Sequence, residues 1–182
     1  EGYQPFEQIA EESRRDGAVI AASGLAGAQK AHLACALAAR TGRPLVFLCD
    51  SERSAAQTME DVSALMGGGV SLFPAREITF YQDVAASRDV AYRRIEAMRK
   101  LVSGEVRAIV APADAMLHRV MPRAVFSANT ISLRVGDVLP TDQLIERLLA
   151  AGYTREYMVE GKGQFSVRGG IVDIYPADAL SA

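Results

Sequence analysis

Apolar residues in this chain recur in two ways, as short unbroken runs bounded by turn residues and as stripes spaced three or four apart. The spacing predicts a leading helix around Pro5 to Arg15. Ala18 to Ala22 is a short apolar run that reads as a strand, and Ala31 to Ala39 is strongly helix-favouring. Pro44 to Cys49 reads as a buried strand, and Ser54 to Met66 as a helix with Ala55, Met59, Val62 and Met66 on one face, stopping at Gly67. A third unit follows, with a strand at Val70 to Phe73 and a polar loop from Arg76 to Asp83. Its helix opens at Ser87, carries Ala91, Ile95, Met98 and Val102 on one side and ends at Gly104. Val106 to Ala111 makes one more buried strand. Strands separated by helices imply a parallel sheet covered on both faces.

The pattern changes from about Ala128. Thr130 to Val135 alternates apolar and polar, as a half-exposed strand does, and Gly136-Asp137 reads as a turn. A helix then opens at Thr141, presents Leu144, Ile145, Leu148 and Leu149 to a core, and stops at Gly152. From Gln164 to Arg168 the residues alternate again, with Phe165 and Val167 on one face and Ser166 and Arg168 on the other. Gly169-Gly170 allows a bulge or sharp bend before Ile171 to Tyr175. The expected organisation is an α/β domain over residues 1–126 and a small α+β module over residues 127–182. An edge of Ile171 to Tyr175 left unpaired is expected to invite self-association.

Composition narrows the field. The 182 residues are 49% hydrophobic and 23% charged, as in an ordinary folded domain, and the formal net charge of −2 gives no global pull on nucleic acid. There is no tryptophan, and charges of both signs are mixed, which argues against a plain DNA-binding domain. Cys35 and Cys49 lack any C-x-x-C spacing and read as small buried hydrophobes in a reducing compartment. His32 and His118 stand alone, so no metal is expected. No run approaches a membrane span and no signal-peptide pattern opens the chain, so a cytoplasmic location without membrane contact is expected.

The candidate chemistry lies at Ser23-Gly24-Leu25-Ala26-Gly27-Ala28-Gln29-Lys30-Ala31, which keeps the frame of G-x-x-x-x-G-K-[ST] with Gly24 and Lys30 in place. Gln29 stands where a glycine lets the backbone close on phosphates, and Ala31 where a hydroxyl would hold Mg²⁺. A glycine turn between a strand and an Ala-rich helix accounts for Gly24 and Gly27 equally. The expected fold is therefore a degenerate P-loop, RecA-like parallel sheet, without a nucleotide cofactor. The strand-end acid Asp50, followed by Ser51, is read as a helix cap in preference to a Mg²⁺ carboxylate.

The segment Gly163-Gln164-Phe165-Ser166-Val167-Arg168-Gly169-Gly170-Ile171-Val172-Asp173-Ile174-Tyr175-Pro176 resembles the signature shared by UvrB and the bacterial transcription-repair coupling factors. Gly152-Tyr153-Thr154-Arg155-Glu156-Tyr157 precedes it in the same order. UvrB has an intact ATP loop followed by a tyrosine-rich hairpin, whereas this chain has Gln29, Ala31 and only Phe80-Tyr81 in a short connection. Phe73-Pro74-Ala75-Arg76-Glu77, with Tyr81 and Ser87-Arg88, is similar to the amino-terminal region of the coupling factors instead.

That resemblance implies a non-catalytic recruitment module that mimics UvrB and binds UvrA, bringing excision repair to a stalled RNA polymerase. It implies that the motor and the contacts with RNA polymerase and DNA lie beyond Ala182. It assigns UvrA contact to Arg168 and, by its place two residues after Tyr153, to Arg155. UvrB carries a further arginine where this chain has Ser166. The alternative is the amino-terminal part of a UvrB-like, ATP-dependent repair protein, from which Gln29 and Ala31 set this chain apart. Arg88, Arg93, Arg94, Arg99 and Lys100 form a basic stretch that reads as a solvated helix face in preference to a DNA contact.

Overall fold

A strand with small and branched side chains on both faces sits at the centre of the first sheet, because helices pack against it from two sides. The computed structural model describes residues 4–76 and 88–178. Helix α1 (Gln4–Glu12) leads into α2 (Ala28–Thr41), followed by β1 (Leu45–Cys49), α3 (Glu52–Met66), β2 (Val70–Leu72), α4 (Arg88–Ser103) and β3 (Ala108–Pro112). All three strands are parallel, in the order β1-β3-β2, with Leu45 opposite Ala108 and Val70 opposite the same residue on the other side. The connection through α3 steps over β3 and the one through α4 steps back, so right-handed crossovers put the two helices on opposite faces.

The core follows the alternation of β3. Ala108 and Val110 join Ala31, Cys49, Ala55 and Val62 on the side of α2 and α3, while Ile109 and Ala111 join Phe73, Ala97, Val106 and Ala115 on the side of α4. The caps agree with the sequence. Gly42 and Gly67 close α2 and α3 in the left-handed conformation, where a Cβ would be strained.

Several expectations fail, each for a packing reason. Ala18 to Ala22 is not a strand: no partner lies beside it among the described residues, and Val19 is 96% exposed. β1 is buried on one face only, since α4 covers β2 and β3 but not β1, leaving Val46 and Leu48 exposed. The buried residues of α4 are Arg94 and Ala97, with Met98 of the expected stripe packed beside them, while Ala91 and Ile95 of that stripe are exposed. Arg94 is only 4% exposed because its guanidinium stacks 4.0 Å from the centre of the Phe73 ring and Nη1 donates to the Pro74 carbonyl. The basic stretch on this helix is otherwise a solvated face, as expected for Arg88 and Arg93, and three of its residues are paired: Arg93 with Asp89, Lys100 with Glu96, and Arg99 with Glu105. The opening of α4 at Ser87, the loop through Asp83 and Phe80-Tyr81 lie outside the described residues.

After a 3₁₀ turn at Ala113–Leu117 and the short α5 (Arg123–Ala128), Ile131 to Val135 runs without a strand partner among the described residues, contrary to the alternating pattern. Val135 is fully exposed, and the Asp137 carboxylate closes the turn by accepting from the Arg134 backbone N–H at 2.8 Å. Helix α6 (Thr141–Ala150) then packs Leu144 and Leu148 onto a second sheet, while Leu149, expected inside, is 52% exposed. That sheet has the order β4-β5-β6, from β4 (Thr154–Arg155), β5 (Gln164–Arg168) and β6 (Ile171–Tyr175). Phe165, 0% exposed, is its central side chain, surrounded by Leu144, Leu148, Tyr153, Val167, Val172 and Ile174.

Candidate functional site

Two places carry candidate chemistry, the loop before α2 and the outer face of the β5–β6 hairpin. In the loop, Gly24 and Gly27 take positive φ angles of 78° and 48°, and Gly27 is the N-cap of α2. An anion at such a helix start would be held by backbone N–H groups. Here the groups are used internally. The Gln29 side-chain oxygen accepts from the Ala26 N–H at 3.0 Å, and the Gln29 and Lys30 N–H groups bond back to Ala26 and Gly27. Ala31 is 2% exposed and packed beneath the helix among Cys49 and Ala55, so a hydroxyl there would meet core atoms.

Asp50 is not the cap. Ser51 is, closing a capping box with Ser54, and the Asp50 carboxylate accepts from the hydroxyls of both serines. The Ser54 hydrogen bond, then that of Ser51, with the nearby Lys30 charge contributing less, lowers the Asp50 carboxyl below its ordinary pKa. Among the described residues no cluster of three His, Cys, Asp or Glu side chains is placed to hold a metal. No helix among them is long and apolar enough to cross a membrane.

The hairpin is built by its register. Arg168 pairs with Ile171 across Gly169-Gly170, a two-residue loop in which Gly169 takes φ 60°, and Ser166 pairs with Asp173. Alternation therefore sets Ser166, Arg168 and Asp173 on the face away from Phe165. The Arg168 Nη2 donates to Asp173 Oδ2 at 2.5 Å, and the Ser166 hydroxyl reaches the same oxygen at 3.4 Å. These three residues, with Tyr157, Met158 and Val159 of the β4–β5 loop, line a shallow pocket of about 260 Å³. Ser166 is its floor at 2% exposure, while Tyr157 and Met158 stand out at 91% and 65%.

Arg155 lies elsewhere. Its register partner is Phe165, and paired residues share a face, so Arg155 leaves the sheet on the α6 side, exposed at the β4 edge. The two candidate arginines thus point from opposite faces. Tyr157, Met158 and Asp173 were not singled out by sequence reasoning, because their meeting with Arg168 depends on strand register and on the path of the β4–β5 loop. Only the position of Asp173, in step with Ser166 and Arg168 across a Gly-Gly turn, signalled a shared face.

The small sheet is tied to the rest of the chain at Gly163. The Tyr92 hydroxyl donates to the Lys162 carbonyl at 2.9 Å, and a Cβ built on Gly163 would sit 2.4 Å from that hydroxyl. Gly163 also receives the Thr154 N–H on its carbonyl and donates its own N–H to Tyr175. Its positive φ and lack of a side chain let β4, β5, β6 and α4 meet at one point.

Residues 131–182 match the UvrB interaction domain family. The chain is 32% identical over 155 residues, 85% of its length, to the transcription-repair-coupling factor of Bacillus subtilis (strain 168), of which it covers 13%. It is 32% identical over 182 residues, 96% of its length, to that of Myxococcus xanthus, of which it covers 15%. Against the Staphylococcus aureus (strain USA300) protein the identity is 30% over 57% of the chain and 9% of the relative. The chain spans 13% and 15% of the length of the first two curated relatives.

Proposed function

This chain is related to the transcription-repair coupling factors and carries the match to the UvrB interaction domain over residues 131–182, and from that premise we propose that it recruits UvrA without catalysing a reaction of its own. The observation that carries this reading is the coincidence of the family match with the small sheet whose outer face exposes Arg168 beside a pocket. An exposed arginine there makes charge-assisted, two-pronged hydrogen bonds to an acidic partner, and Arg155 offers a second contact at the β4 edge. In this reading residues 1–126 form a P-loop-derived scaffold and residues 127–182 the recruiting module. The rest of such a protein would supply the ATP-driven motor and the contacts with RNA polymerase and DNA. The outer edge of β6, unpaired among the described residues, is where self-association would begin.

The test is competition. A complex of the chain with UvrA should form and should be displaced by UvrB, because both present the same type of module. Failure to form any complex overturns the recruitment reading, and binding that UvrB leaves untouched overturns the shared site.

The loop at Gly24 to Ala31 is proposed as a P-loop that has lost its ligand, with the Gln29 amide oxygen standing where a phosphate oxygen would accept a backbone N–H. With a dissociation constant at or above about 1 mM, about 1 mM Mg-ATP should stabilise the fold by no more than ~0.4 kcal/mol. Thermal unfolding with and without Mg-ATP checks this, and a clear upward shift or measurable turnover would contradict it. Gln29→Gly with Ala31→Thr should confer no ATPase activity, since Ala31 is packed in the core.

A further inference from the structure

Arg168 is not a free cation. Its Nη2 is bound by Asp173, the diagonal neighbour across the hairpin, and Asp173 is steadied by Ser166, at the pocket that Tyr157 to Val159 also line. That contact involves one terminal nitrogen and one carboxylate oxygen, leaving the Nε–H, both Nη1–H and the second Nη2–H donors of the guanidinium for another acceptor. The geometry points to a positioning role: we propose that Asp173 holds Arg168 over the pocket, so that the remaining N–H donors of the guanidinium meet an acidic side chain of the partner while Met158 and Val159 receive the apolar part of the same segment. This rests on the reading that the module binds UvrA, and adds to it a residue that acts through Arg168 rather than on the partner.

Two effects of Asp173 oppose each other. Its negative charge repels an incoming carboxylate, but at a site this exposed that repulsion is screened by solvent and salt. Its hydrogen bond removes the freedom of a long side chain before binding, and that ordering would otherwise be lost at the moment of contact. The ordering is the larger effect here, because the side chains of Arg168 and Asp173 are 66% and 41% exposed, which screens the repulsion, while the bond restricts where the guanidinium lies.

The test is a double-mutant cycle on the full chain with UvrA as titrant. Asp173→Asn keeps the shape and removes the charge; it should weaken binding about fivefold, equivalent to ~1 kcal/mol. In the Arg168→Ala background the same change should do nothing, since there is no guanidinium left to hold. A merely structural Asp173 would weaken binding equally in both backgrounds and lower the melting temperature, which overturns the proposal. Unchanged or tighter binding by Asp173→Asn, with Arg168→Ala still weak, also overturns it while leaving the UvrA site standing. If Arg168→Ala binds like wild type, the site assignment itself fails and takes this inference with it.

Discussion

Phe165→Ala is expected to unfold the small module under conditions where the parallel-sheet half of the chain stays folded. Phe165 is 0% exposed and is the central contact between α6 and the three-stranded sheet. Truncating a buried phenylalanine costs roughly 3–5 kcal/mol, from lost transfer energy and from the cavity left behind. A whole domain has only about 5–15 kcal/mol of net stability, and this module has one small core cluster. Hydrogen exchange would localise the loss: amides of α6, β5 and β6 should exchange rapidly while those of β3, held between two clusters, stay protected. Uniform weakening of both halves would mean that the contact at Tyr92 and Gly163 makes them one cooperative unit. An unchanged melting profile would contradict the placement of Phe165 altogether.

The second large effect concerns the arginines. Each, if it is a contact hot spot, should lose roughly 2 kcal/mol of UvrA binding on replacement by Ala, about thirtyfold in affinity. They leave the sheet from opposite faces and share no partner among the described residues, so the two losses should add. The double variant Arg155→Ala/Arg168→Ala should then bind about a thousandfold more weakly. Folding should barely change, because exposed substitutions usually fall within about 0.5 kcal/mol, and the Arg168–Asp173 pair is a surface pair. Strong non-additivity would place both side chains against one feature of the partner, and so against the geometry described above.

Much of the first half was legible because helix stops and strand runs reinforce one another. Gly67 and Gly104 ended their helices as expected, and the apolar run at β3 was buried throughout. The failures are cases in which a local pattern lacked a partner. Ala18 to Ala22 and Thr130 to Val135 carry strand-like apolar patterns, but a strand is a pairing, and neither segment pairs with another among the described residues. The face of α4 was misphased because an arginine was taken for a surface residue. Arg94 buries its stem and stacks on Phe73, which periodicity of apolar residues cannot register.

The site was legible only in part. The alternation of β5 set Arg168 opposite Phe165, and the hairpin keeps it there. That Asp173 meets Arg168 follows from the antiparallel register, which two glycines permit but do not specify. Ser166 was expected to share an exposed face and is buried instead, in the pocket it lines with Tyr157 to Val159. Arg155 was grouped with Arg168 from its place in a motif, yet the parallel pairing of β4 with β5 turns it to the other side. In the loop before α2, Gln29 read as an obstruction to phosphate, and its side-chain oxygen accepts the Ala26 N–H.

The most direct measurement is an equilibrium titration of UvrA into the wild-type chain and into the Arg155→Ala/Arg168→Ala chain, with melting curves of both proteins recorded alongside. Saturable binding by the wild type, lost by about three orders of magnitude in a double variant that melts at the same temperature, is the predicted result. Equal affinity of the two proteins for UvrA would contradict the claim that the small sheet is the recruiting surface.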